Sequence, residues 1–161
     1  MTSHPELHIL VEIADRARDG DFLDLADLLR ALPPTAAERD GRILALDAAP
    51  LARPSAELRD FLDLGRSDGS GFAASWTDLH VLAQNTLTIP DALIVAPHPD
   101  RTAPTAADDD LAILAASDLV LAARAATVWT LWIPEAWLPA LATTFGEIRE
   151  VEPGDHPLTS R

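Results

Sequence analysis

Six residues stand where chemistry could be done: Asp47, His98, Asp100, Glu135, Asp155 and His156. Each lies at or just after the end of a segment patterned like a β-strand. If those strands ran parallel, the six would share the rim at the carboxyl ends, where open parallel sheets hold their ligands. There His98, Asp47 and His156 could ligate a divalent cation, and His98, Asp100 and Glu135 could move protons. Much other chemistry is excluded. The chain has no Cys, hence no thiolate zinc site and no thiol nucleophile, and it has no Lys, hence no Schiff base and no P-loop. Gly69-Ser-Gly71 follows a helical pattern instead of a strand, and no Gly-x-Ser-x-Gly elbow is present. No cofactor is expected.

Each candidate also has a structural reading. Pro97-His-Pro-Asp100 is a good turn sequence, and Asp47 can end a strand. The run Asp108, Asp109, Asp110 could attract a cation or a basic partner, but three consecutive helical residues point in different directions, and acids in a first turn suit the helix dipole. Trp129 and Trp132 would face opposite sides of one strand. Trp137, beyond that strand, becomes a partner-binding anchor if it is exposed, because Trp dominates interface hot spots.

Ala92-Leu-Ile-Val-Ala-Pro-His-Pro-Asp100 resembles the strand and following loop of the zinc-dependent N-acetylglucosaminyl deacetylase family, whose motif runs Ala/Pro-His-Pro-Asp-Asp-Glu. The resemblance implies His98 as a zinc ligand and Asp100 as general base. The family's second Asp, itself a ligand, is replaced here by Arg101, a cation. A second likeness, over Ala56–Leu62 and Asp68–Gly71, is to the helix and glycine turn of a family of immunity proteins.

The charge is strongly one-sided. The chain of 161 residues carries 26 Asp and Glu against 12 basic residues, all Arg, for a formal net charge of −14. Nucleic-acid binding gains most of its affinity by neutralising phosphates, so direct binding to nucleic acid is not expected. Acidity of this size instead steers basic partners, unless it reflects coding bias or salt adaptation of the whole composition. Met1–Glu12 lacks the basic and apolar regions of a signal peptide, and Ser117, Asp118 and Arg124 interrupt the longest apolar stretch, so neither export nor a membrane span is expected and the compartment read from the sequence is cytoplasmic.

The elements that would position these residues follow from periodicity. Leu7, Leu10, Val11, Ala14 and Ala17 keep helical spacing; Asp21 can cap a second helix whose stripe is Phe22, Leu25, Leu28, Leu29 and Leu32, so residues 6–32 are expected to form an αα-hairpin. Arg42–Asp47, Asp91–Ala96, Thr127–Ile133 and Glu147–Val151 are expected strands. Between them fall helices from Ser55, from Ser75 with Asp78 in a capping box, over Leu111–Ala123, whose Ser117–Ala122 stretch could be extended instead, and around Pro139–Phe145. Alternation of strand and helix points to an α/β fold: a small, mostly parallel sheet of three to four strands with helices on both faces, preceded by the hairpin. One domain over 1–152 is expected, its alternating region spanning 42–151, with a loose tail from 153 to 161.

The leading expectation is a non-catalytic acidic domain that binds a basic protein partner through surfaces such as Trp137 and Asp108–Asp110, in one form an inhibitor or immunity-like protein. The alternatives are a small metal-dependent hydrolase built on the His98 rim, and a structural subunit that assembles through the front hairpin.

Overall fold

The computed structural model describes residues 6–14, 24–50, 71–125, 128–155 and 157–159. Within them runs a seven-stranded sheet: β1 (His8–Ala14), β2 (Gly41–Pro50), β3 (Phe72–Ala74), β4 (Thr86–Pro97), β5 (Ser117–Arg124), β6 (Val128–Pro134) and β7 (Ile148–Val151). Their order is β3-β2-β4-β5-β6-β1-β7, and every neighbouring pair is antiparallel. Four α-helices accompany it among the described residues: α1 (Leu25–Ala31), α2 (Trp76–Gln84), α3 (Asp110–Ala115) and α4 (Leu138–Thr144).

The expected small parallel sheet is therefore corrected to a larger antiparallel one. The reason lies in two crossovers. β3 leads through α2 to β4, and β6 leads through α4 to β7, so these two strand–helix–strand passages do join strands pointing the same way, whereas β4 leads through α3 to its antiparallel neighbour β5. The like-directed strands are not neighbours, however. β2 lies between β3 and β4, and β1 lies between β6 and β7, each inserted with opposite direction.

The αα-hairpin is corrected as well. Its first half is β1, with Ile9, Val11 and Ile13 turned to one face and Leu10 to the other. Because both faces of β1 are covered, apolar residues occur on both sides, and helical spacing arises by coincidence. The second helix stands, but Asp24 caps it: the Asp24 side chain accepts from the Asp27 backbone N–H while Asp27 reciprocates, a capping box. The stripe of Leu25, Leu28, Leu29 and Leu32 is buried against the sheet, each side chain contributing about 1.5–3 kcal/mol. Asp21 and the helix expected from Ser55 lie outside the described residues, as does the immunity-protein likeness of residues 56–62.

Leu111–Ala123 also divides. Asp109 caps α3 by accepting from the Ala112 N–H, the helix ends at Ala116, and the chain turns into β5, buried on both faces from Leu119 to Ala123. A strand covered on both sides needs no polar alternation, so its sequence is indistinguishable by pattern from a buried helix. Ser75, by contrast, caps α2 with Asp78 as its spacing predicts.

The core has two layers. α1, α2, α4 and Trp137 pack with Val11, Ile94, Leu121 and Leu131 on one face. On the other, Ile113 and Leu114 of α3 meet Leu10, Leu93, Val95 and Val120. Leu158 completes this second layer, 1% exposed, with its N–H on Asp110 Oδ2 at 3.0 Å.

Candidate functional site

Antiparallel pairing dissolves the common rim, because successive strands present their carboxyl ends at alternate edges. Asp47 pairs with Asp91, seven residues before His98 along β4, which separates the two by about 20 Å. Glu135 ends β6, which does point the same way as β4, but β5 intervenes and Glu135 is exposed with its N–H on the Leu7 carbonyl. His156 lies outside the described residues. Among the described residues no three His, Asp or Glu side chains come close enough to hold a metal ion together.

His98 does open onto a cleft, of about 810 Å³, at the carboxyl end of β4. Arg39, Arg42, Arg101 and His98 line it with Glu38, Asp40, Asp78 and Asp118, so both signs of charge share its walls. Its floor is cross-linked. Arg39 Nη1 donates to Asp118 Oδ2 at 3.1 Å, its Nη2 lies 3.9 Å from Glu6, and its guanidinium covers the Trp137 ring at 5.3 Å from the centroid. Asp78 is engaged in capping α2, and Arg101 donates to the Ala115 carbonyl.

The ring of His98 is itself committed. Its Nδ1 accepts the backbone N–H of Asp100 at 3.1 Å, which puts the ring proton on Nε2, 4.0 Å from Asp118 Oδ1. The one lone pair a neutral imidazole could offer a metal or a substrate proton is already used. Asp100 contributes its backbone to this turn and its carboxylate faces solvent. The turn is closed by the N–H of Arg101 on the His98 carbonyl at 3.1 Å and the N–H of His98 on the Ala116 carbonyl at 2.8 Å. Pro97–Asp100 works as a turn, and with Arg101 bound to a carbonyl the deacetylase-like ligand set is not assembled.

No known protein family, curated protein or solved structure matches the chain. The geometry alone must carry the functional reading. Among the described residues no helix is long and apolar enough to cross a membrane.

The partner-binding candidates fall into two groups. Trp137 is only 7% exposed and lies in the core beneath Arg39, so the condition for its use as an anchor is not met. Asp108, Asp109 and Asp110 each accept a backbone N–H, from Thr105, Ala112 and Leu158 respectively, and Asp108 and Asp109 stay exposed. Beside them Leu111 is 55% exposed, and Gly154 passes close to its methyl groups. Along the chain, the exposed acids Glu152 and Asp155 lie two residues before and one after Gly154, and the exposed Asp108 and Asp109 lie just ahead of Leu111.

Sequence reasoning missed Arg39, Asp118 and His8. Asp118 had a signal: it is the one acid within a run otherwise fit for burial. Arg39 had none, since its role depends on Asp118, 79 residues away.

Proposed function

We propose that this chain is a non-catalytic binding domain whose acidic surface engages a basic protein partner around Leu111. The observation that carries the reading is the exposed Leu111 side chain beside Gly154, with the exposed acids Asp108, Asp109, Glu152 and Asp155 within three residues of one or the other along the chain. An apolar centre with a charged rim is how specific interfaces are built: the centre excludes water while the rim steers encounter and rejects partners of like charge. The net charge of −14 extends the same attraction over the molecule.

The hydrolase alternative finds less support, because the candidate ligands stand apart and Nδ1 of His98 already accepts the Asp100 N–H. For the assembly alternative, Leu25, Leu28, Leu29 and Leu32 of the front segment are buried within the monomer, which gives it less support, while Leu7 is exposed.

The test is a pull-down from the native host's lysate with the wild type and with a triple variant, Leu111→Ser, Glu152→Gln and Asp155→Asn, at about 0.1 M and about 1 M salt, across which the Debye length shrinks from about 10 Å to about 3 Å. A stoichiometric protein lost both at high salt and in the variant is the expected result. A protein retained at high salt, or equally by the variant, would overturn the reading.

A further inference from the structure

His8 reaches further than its position on β1 requires. Its ring lies over the indole of Trp132 on β6, with centroids 5.4 Å apart, and extends across that strand to β5. There Nε2 meets the backbone carbonyl of Asp118 at 2.8 Å, while Nδ1 meets the carbonyl of Glu6 at 3.0 Å. Both partners are acceptors only. A neutral imidazole has one N–H, so one of these contacts would set a ring lone pair against a carbonyl oxygen; the imidazolium donates to both. The indole face beneath it also favours the cation.

From this geometry we infer that His8 is a proton-operated clasp. In its doubly protonated form it ties the lead into β1 to the start of β5, and loss of one proton leaves a single N–H for two carbonyls, so only one end of the tie is kept. Ladder pairing of β5 with β6 begins only at Val120, so the Asp118 carbonyl has no ladder bond to β6 to replace the clasp. The link matters to the cleft because the same two residues serve it. The Asp118 carboxylate holds Arg39 and faces His98, and Glu6 is the second carboxylate near Arg39.

The charged groups near the ring are reached through its partners: Glu6 and Asp118, whose carbonyls it meets, Arg39 and His98, which lie against their carboxylates, and Glu135, whose N–H is on the carbonyl of the adjacent Leu7. Carboxylates outnumber the guanidinium, so the local balance accommodates a second cation.

The test joins ring spectroscopy to stability. Long-range ¹H–¹⁵N correlations of the His8 ring are recorded from pH 5 to pH 8, the interval in which histidine changes charge, and urea unfolding is followed over the same range for the wild type, His8→Gln and His98→Gln. The expected result is a doubly protonated His8 at pH 5. The folding constant of the wild type should then fall about tenfold towards pH 8, as one charge-assisted hydrogen bond is lost, in His98→Gln as in the wild type but not in His8→Gln. An equal fall in His8→Gln would overturn the inference. So would a neutral tautomer at pH 5, which the wild type alone reveals even if the variant does not fold.

Discussion

Glu12 on β1 and Thr130 on β6 stand directly opposite each other, both buried, and Glu12 Oε1 and Thr130 Oγ1 each lack a hydrogen-bond partner. Arg149 donates to Glu12 Oε2, and Arg124 Nη2 lies 3.8 Å from Oε1, beyond hydrogen-bond distance. A buried hydroxyl without a partner is costly, so Thr130→Val, which keeps the shape and removes the oxygen, should leave stability unchanged or raise it by about 1 kcal/mol. Urea unfolding measures this; a loss of stability would mean that the hydroxyl has a partner in solution.

Replacing Glu12 should act in the opposite direction. Glu12→Leu leaves Arg124 and Arg149 without their shared carboxylate. Arg149 is largely exposed and Arg124 partly so, which lets water take over some of the loss. The expected cost is about 1–3 kcal/mol, below that of a wholly buried pair. A double-mutant cycle with Arg124→Met isolates the part due to that pair.

Gly41 is fixed by a close approach. A Cβ there would stand 2.7 Å from the Ala74 carbonyl oxygen, on the strand that pairs with it. Gly41→Ala must push β3 from β2, with an expected loss of about 1–3 kcal/mol, the usual range for overpacking. Faster hydrogen exchange confined to β3 and the start of β2 is the matching local readout.

Asp24 gives a pH dependence of definite sign. Partial burial raises its carboxyl above the ordinary value; the backbone hydrogen bond with Asp27 opposes this, the Asp27 charge adds to it, and Arg30 counteracts. The folded state therefore holds this proton more tightly than the unfolded one, so the contribution is present at low pH and is lost as pH rises through the raised value. Asp24→Asn keeps an acceptor at the cap and removes the charge; it should be at least as stable as the wild type at pH 7, with a flatter profile in the acid range. Asp24→Ala, which loses the cap, should cost about 1 kcal/mol, and more in the acid range than at pH 7.

Local signals in the sequence proved sound where the cause was local. Ser75 with Asp78, Pro33 after α1, and Trp129 and Trp132 on opposite faces of β6 all follow from spacing of a few residues. Partnership between strands did not follow in this way. That β1 enters between β6 and β7 depends on pairings invisible to any local window, and so do the loss of the common rim and the meeting of Arg39, His8 and His98 at Asp118. Alternate β-branched residues at Ile9, Val11 and Ile13 were the available hint that this segment is a strand.

The placement of β1 also sets an order of events in synthesis. Its partners on β6 and β7 lie more than a hundred residues downstream, so an early strand must wait for almost the whole described chain before it can be enclosed. Such long-range closure slows folding and leaves an apolar segment uncovered in the meantime. While the ribosome is still at work, Ile9, Val11 and Ile13 are the part of this molecule most in need of shelter.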